Sequence, residues 1–284
     1  MNKKAPLSGC FYGSLAWKNS PSLIARQNEL ATSRSGGAQR ADETLDTLFQ
    51  GELMIWQGRS GYRFSLDALL LADFLTCYDD EKIADLGTGS GVIALILAYR
   101  RPSLLITGVE IQRGMMDRAC RNVQQNRFRE RVTIQLADVR HIRDAFSPES
   151  FAAVVCNPPY RRIASGRISP DTERKIARHE IVAGLADFLQ AGAYLLPIKG
   201  RMAVVYPALR VVDLVQSMRH VNLEPKRLRM VHSFAGANAA LVLVEGVKGG
   251  RSGIEVLPPL IVYKQGNEYT AEITAMLAGR TTSS

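Results

Sequence analysis

At 284 residues and 46% hydrophobic side chains, the chain has material for one large α/β core or two small ones. A formal charge of +9 is read either as plain surface solvation or as a sign of a polyanionic partner. Cys10, Cys77, Cys120 and Cys156 form no CxxC pair or His-associated spacing, which excludes a zinc site of that kind and a disulfide framework. The last three lie in apolar contexts and read as small buried hydrophobes.

Residues 1–41 are rich in Ser, Gly, Ala, Asn and Arg without periodicity, and are expected to be a flexible extension. The opening MNKKAPLSGC ends like a lipobox. Too few apolar residues separate Lys4 from Cys10 for a signal peptide, no run is long enough to span a membrane, and the expectation is a cytoplasmic protein. From residue 42 a single domain is expected: a hairpin and helix over 42–78, a core over 79–249 and an extension over 250–284. GELMIWQ (51–57) alternates as a strand, GRSG turns, and YRF (62–64) resumes. Ser65 then caps a helix, LDALLLADFL, with Asp67 in its first turn.

Strands and helices alternate thereafter. KIADLG (82–87), LLITGVEI (104–111), VTIQLAD (132–138), FAAVVC (151–156) and GRMAVVYP (200–207) read as strands, separated by helical stretches. Within RGMMDRACRNVQQNR (113–127), three/four spacing places Met115, Met116, Ala119, Cys120 and Val123 on one face. KRLRMVHS and AALVLVEGV are joined by too short a link for a parallel crossover and must form a hairpin. The pattern predicts a mostly parallel sheet with one antiparallel strand at its C-terminal end and helices on both faces.

DLGTGSGV (85–92) follows the first core strand and opens a helix. Gly87, Gly89 and Gly91 permit a tight turn and close ligand approach. The spacing is GxGxG rather than the dinucleotide pattern GxGxxG, and no Lys-Ser/Thr follows, which excludes a P-loop. Glu110, 23 residues beyond Gly87, ends the second core strand, where a carboxylate can accept both hydroxyls of a ribose. Asp138 ends the third and is placed to accept from an adenine amino group. Asp85, at the end of the first, can face a cationic ligand or orient the glycine turn. Acids at three successive strand ends around a glycine turn imply an adenosine ligand with no phosphate requirement, which S-adenosylmethionine satisfies.

The series DLGTGSGVIAL, VEI, LAD and NPPY with a closing β-hairpin resembles the class I S-adenosylmethionine-dependent methyltransferases. The resemblance implies a Rossmann-like, seven-stranded, mostly parallel sheet with an antiparallel C-terminal hairpin strand. It also implies cofactor contacts from Asp85, Gly87, Thr88, Gly89, Gly91, Glu110, Ile111, Asp138, Val139 and Asn157. In families with NPPY (157–160), the motif handles a planar NH2 group. The prolines lock the loop and bare its carbonyls. Asn157 Oδ1 and the Pro158 carbonyl can each accept one amine hydrogen, and Tyr160 can stack on a flat substrate. The substrate classes sharing the motif are adenine or cytosine in nucleic acid, guanine N2 in ribosomal RNA and glutamine in release factors.

QGRSGYRFSLDALLLADFL (57–75) and PPLIVY…YTAEI (258–273) are similar to segments of the bacterial tRNA1(Val) (adenine-37-N6)-methyltransferase family. That likeness implies methylation of the adenine beside the anticodon of a valine tRNA. It also implies that Tyr62, Arg63, Phe64 and Asp67 flank the cofactor or base pocket. YRRIASGRISPDTERKIARHE (160–180) carries Arg161, Arg162, Arg167, Arg174, Lys175 and Arg178 against three acids. Beside a base pocket, with Pro159, such a segment is expected to meet substrate phosphates. Lys226, Arg227 and Arg229 are candidates to extend that track. His179 reads as a loop or cap residue. The release-factor alternative lacks the expected helical N-terminal domain, since residues 1–41 are short and polar. No metal is expected, and the oligomeric state stays open, with a monomer the simplest expectation.

Overall fold

The computed structural model describes residues 40–59, 66–159 and 183–279. The bulk of the expected N-terminal extension, Tyr62, Arg63, Phe64 and Ser65 lie outside those residues. So do Tyr160, Arg161, Arg162, Arg167, Arg174, Lys175, Arg178 and His179.

A small apolar side chain or a β-branched one at nearly every position is what a strand covered on both faces needs. The central strands β3 (Lys82–Leu86), β6 (Ala153–Cys156) and β7 (Arg201–Pro207) are buried almost throughout and β4 (Leu105–Glu110) over most of its length, whereas the edge strand β5 (Val132–Leu136) buries only Val132. They pair in parallel in the order β7-β6-β3-β4-β5. Then β9 (Ala239–Lys248) lies antiparallel against β7, and β8 (Leu223–His232) antiparallel against β9. The final hairpin therefore inserts its second strand next to the core. The order β8-β9-β7-β6-β3-β4-β5 gives the expected mostly parallel sheet, with β9 of the C-terminal hairpin running against the rest. Two further strands of two residues each, β10 (Glu255–Val256) and β11 (Leu260–Ile261), run along the outer edge of β8 and make the sheet nine-stranded. They are too short to leave an alternation signal.

Alternate residues of one strand enter opposite hydrophobic clusters, as the pleat dictates. Val155 and Val205 join one cluster, with α1 (Leu66–Phe74), α2 (Val92–Arg100) and α6 (Ala271–Leu277). Val154, Cys156 and Val204 join the other, with α4 (Leu185–Leu195) and α5 (Val211–His220). Asp67 is in the first turn of α1, as expected, and is buried there. Arg100 of α2 ties the first layer together: it ion-pairs with Asp73 of α1 (2.7 Å) and donates to the Met276 carbonyl of α6 (2.8 Å).

The described residues show a hairpin upstream of the expected one; the expected second strand, residues 62–64, lies outside them. Strand β2 (Leu53–Gly58) pairs with the upstream β1 (Glu43–Leu48) across a turn at Phe49–Glu52. β1 escaped the sequence pattern because Glu43, Asp46 and Thr47 are polar yet buried. Gln57 donates to Asp46, and Arg118 and Arg121 pair with Glu43.

Helix α3 (Arg113–Gln125) also corrects an expectation. Ala119 and Val123 are buried, but Cys120 is exposed, and Asn122 takes the buried position instead. Cys77 is only half-buried; Cys156 is the cysteine that behaves as a core residue. The buried asparagine has a structural reason. Asn122 Oδ1 accepts from Trp56 N–H (2.7 Å) and its Nδ2 donates to the Trp56 carbonyl (3.1 Å). One turn later Asn126 accepts from Met54 N–H (2.9 Å) and donates to the Met54 carbonyl (2.6 Å). Four helical residues rise about 6 Å and two strand residues about 6.8 Å, so two amides one turn apart can imitate a neighbouring strand for β2.

Candidate active site

In a parallel sheet all strands deliver their C-terminal ends to one edge, and loops leaving that edge meet there. Leu86 is in register with Val109 and with Cys156, and Glu110 with Leu136. The glycine turn after β3, Glu110 and Ile111 after β4, Asp138 and Val139 after β5, and Asn157 after β6 therefore share one edge.

The turn is built as its glycines require. Gly87, Gly89 and Gly91 have φ of +71°, +60° and +86°, a region side chains with a Cβ avoid. A Cβ at Gly87 would also come within 3.0 Å of the Phe188 ring of α4, whereas the space beside Gly89 is open. Gly87 and Thr88 N–H both donate to the Val109 carbonyl (2.9 and 3.0 Å), pinning the turn to β4. Thr88 Oγ1 donates to Asp85 Oδ2 (2.6 Å). Glu110 is clamped by backbone, its two oxygens accepting from Gly89 N–H (2.9 Å) and Gln112 N–H (2.8 Å).

Asp85 is fully buried; among the described residues its Oδ1 has no partner within hydrogen-bond distance, although the Ala94 N–H faces the carboxylate and helps hold it ionised. Burial pushes its carboxyl up to about 7, opposed by the Thr88 hydroxyl and reinforced by the nearby Glu110 charge. The Cys156 thiol beside it is raised by burial and by that carboxylate. Two carboxylates that repel each other, one with an oxygen lacking a close partner, beside an open glycine make a cradle suited to a cation.

Asp138 is occupied differently from its sequence reading. Its carboxylate caps the following turn by accepting from Arg140 N–H (2.9 Å), and the Arg140 guanidinium donates to both oxygens. These Arg140 hydrogen bonds hold the Asp138 carboxyl below the usual range. Ile111 stands at the surface and Val139 is buried.

Past β6, Asn157 is half-buried, Pro158 buried and Pro159 exposed. The backbone thus turns outward across the two prolines, at the point nearest Leu86 and the glycine turn.

Two features were missed in sequence. Asn122 Nδ2 donates to the Ser90 carbonyl (2.9 Å), connecting the β1–β2 hairpin to the glycine turn. Phe188 backs Gly87 from α4. The only available signal for the first was a polar residue on the apolar stripe of α3. The proposed extension of a phosphate track is corrected. Lys226 donates to the carbonyls of Arg251 and Gly253, Arg227 to Phe74, Thr76 and Glu245, and Arg229 to Pro258 and Glu272. These side chains hold the C-terminal segment and helix α1 against β8; Arg227 and Arg229 pair with Glu245 and Glu272, while Lys226 meets carbonyls at the surface.

Residues 63–221 match the family model described as methyltransferase small domain. A protein of Vibrio campbellii is 33% identical over 157 residues, 55% of this chain and 63% of its own. A protein of Trichodesmium erythraeum is 32% identical over 174 residues, 61% of this chain and 72% of its own. Both carry the name tRNA1(Val) (adenine(37)-N6)-methyltransferase. The match to the Vibrio protein thus falls just short of two thirds of its length. A crystal structure from Agrobacterium tumefaciens, named as a predicted O-methyltransferase, superposes with a TM-score of 0.62 at 21% identity. It covers 75% of this chain and 96% of the other, which establishes likeness of fold.

Proposed function

The chain belongs to the methyltransferase small-domain family, and from that premise we propose that it is an S-adenosylmethionine-dependent N6-methyltransferase acting on an adenine in tRNA. The observation that carries the reading is the edge where the glycine turn, Asp85 and Glu110 meet the Asn157-Pro158 loop. The names of the relatives support tRNA, and specifically the adenine 3′ of the anticodon of a valine tRNA, as the substrate class.

The residues present fit the cofactor. Glu110 is a clamped carboxylate at a strand end, ready to accept ribose hydroxyls with its remaining lone pairs. Asp85 and Glu110 favour a positively charged ligand, and Gly89 leaves room for it. Thr88, Ile111 and Val139 flank these acids and complete the proposed contact set. When bound, S-adenosylmethionine supplies an electrophilic sulfonium methyl group. Asp138 can accept the adenine amino group only by sharing its carboxylate with Arg140.

On the substrate side, Asn157 Oδ1 and the Pro158 carbonyl accept the two hydrogens of an exocyclic amine. Two acceptors on one NH2 draw the hydrogens out of the ring plane and turn the nitrogen lone pair toward the cofactor edge. The protein then acts by position and by stabilising developing positive charge on nitrogen, with no nucleophile of its own. The surplus proton leaves to solvent after transfer. Pro159 and, in the segment beyond it, Tyr160 and the basic side chains Arg161, Arg162, Arg167, Lys175 and Arg178 complete the proposed substrate contacts.

Incubation with methyl-labelled S-adenosylmethionine and unmodified tRNA is expected to yield labelled N6-methyladenosine on nucleoside analysis. Label found only in protein would instead identify a glutamine methyltransferase. Replacement Asn157→Ala is expected to retain most of the cofactor affinity by calorimetry, since the other contacts remain, and to slow transfer by about 100-fold or more, the usual scale for a lost transition-state acceptor. Turnover equal to the parent's refutes the role of Asn157.

A further inference from the structure

We infer that the β8–β9 turn is a second RNA contact of the same edge, with Phe234 as a base-stacking step for an unpaired nucleotide a few positions from the target. The inference rests on the RNA substrate proposed above. Strand β8 runs in the direction of β6, so its end reaches the edge that carries Asn157. The order β6-β7-β9-β8 puts three strand spacings, about 14 Å, between them across the sheet. The register, which sets Cys156 level with Leu228, carries Phe234 a further five residues, roughly 17 Å, beyond Asn157 along the strand direction. Leu209, 85% exposed, and Arg210 follow the end of β7, between the two.

Phe234 is 39% exposed at the head of this turn, yet it is not a loose side chain on a mobile tip. Its ring packs at 36° on Tyr263 with centroids 5.6 Å apart, and Tyr263 stacks on Tyr269 at 16° and 5.1 Å. Tyr263, the middle ring, is buried in the core and Tyr269 packs half-buried on its other side, so Phe234 is the more exposed end of a short anchored row of rings. The turn is fixed from three directions. Ala237 N–H donates to the Phe234 carbonyl (3.0 Å), Tyr263 N–H to the Ser233 carbonyl (2.9 Å), and His232 Nδ1 lies 2.7 Å from the Ala237 carbonyl. The last contact joins ring nitrogen to carbonyl, so His232 is the donor and carries its proton on Nδ1. Its neighbours in the turn, Ala235, Gly236 and Ala237, are small, and no atom lies within 4 Å of a Cβ built at Gly236.

A rigid aromatic face, open on one side and on a basic protein, is what an unstacked base of a single-stranded loop needs. Preorganisation matters because the ring loses little freedom on binding. A protein partner would want a broader apolar patch than one ring.

The test is fluorescence anisotropy with a dye-labelled, unmodified tRNA transcript at fixed salt, on the parent, Phe234→Ala and Phe234→Trp. Phe234→Ala is expected to weaken tRNA binding roughly 5- to 150-fold, the value of one base–aromatic stack. Phe234→Trp is expected to retain affinity and to add an indole emission that tRNA quenches, beyond any change in the parent's Trp17 and Trp56. S-adenosylmethionine affinity is expected to be the same in all three, and melting temperatures to differ by a few degrees at most, so that every variant is folded at the assay temperature. Equal tRNA affinity for parent and Phe234→Ala overturns the inference, as does an introduced indole that tRNA leaves unquenched. A parallel loss of cofactor affinity also overturns it, because the ring then supports the fold. If the parent binds tRNA but transfers no methyl group to it, the proposed function fails and the Phe234 comparison still decides this contact. If the parent binds no tRNA, both fail.

Discussion

A carboxyl that titrates near neutrality inside the fold makes Asp85 a reporter of two equilibria. Burial raises its pKa to about 7, with Glu110 adding to the shift and Thr88 opposing it. Below about pH 4, folded and unfolded chains both hold the proton; between about 4 and 7 only the folded chain does. Its contribution to stability is therefore complete in acid, falls as pH rises through 7 and is flat beyond. Thermal scans of the ligand-free protein should show the parent losing more stability than Asp85→Asn between pH 5 and 7.5. Cofactor affinity should move the other way, because a cation favours the ionised acid. Calorimetry is expected to give a loss approaching tenfold from pH 8 to pH 6 in the parent, and a flatter profile in Asp85→Asn. The variant also cancels titration of the ligand's own amino group. Residue type and strand-end position were enough to read Asp85 and Glu110 in sequence. What they place is position at the shared edge; the Arg140 partner of Asp138 depends on a local turn they do not show, and helical spacing alone left the boundary of the buried face at Cys120 undecided.

Among the elements, the asparagine pair of α3 has no counterpart in a simple amphipathic pattern. Replacement Asn122→Ala would strand the Trp56 N–H, the Trp56 carbonyl and the Ser90 carbonyl in the interior. An expected cost of about 2–4 kcal/mol, or roughly 4–12 °C in melting temperature, follows. Asn126→Ala, at a less buried position, should cost less, and calorimetric scans of both variants check the order. Asn122→Leu should not rescue, because shape without hydrogen bonds leaves the same groups unpaired. The core strands were readable since each is an apolar run bracketed by turn residues. β1 was not, because its buried Glu43 and Asp46 depend on partners 75 and 11 residues away, at Arg118 and Gln57. A periodicity window does not see such partners.

At the scale of the whole molecule, the alternation of strands and helices and the short final link determine most of the sheet order. The direction of β9 followed from loop length alone. The excess of positive charge acts at this scale too. Raising salt from 50 to 200 mM is expected to weaken tRNA binding about tenfold or more, through counterion release at several phosphates. S-adenosylmethionine affinity, set by a clamped pocket, should change by less than about twofold over the same range. Filter binding and calorimetry measure the two. Equal salt slopes would deny the basic surface a part in RNA binding. The third hydrogen bond of Asn122 carries a consequence across the molecule. The N-terminal hairpin stands outside the main sheet, yet through the Ser90 carbonyl it shares a fate with the glycine turn. Any ligand that quiets that turn must also slow the opening of the hairpin, by linkage. Amide protons of β2 should then exchange more slowly with deuterium when cofactor is present, although no ligand atom needs to touch them.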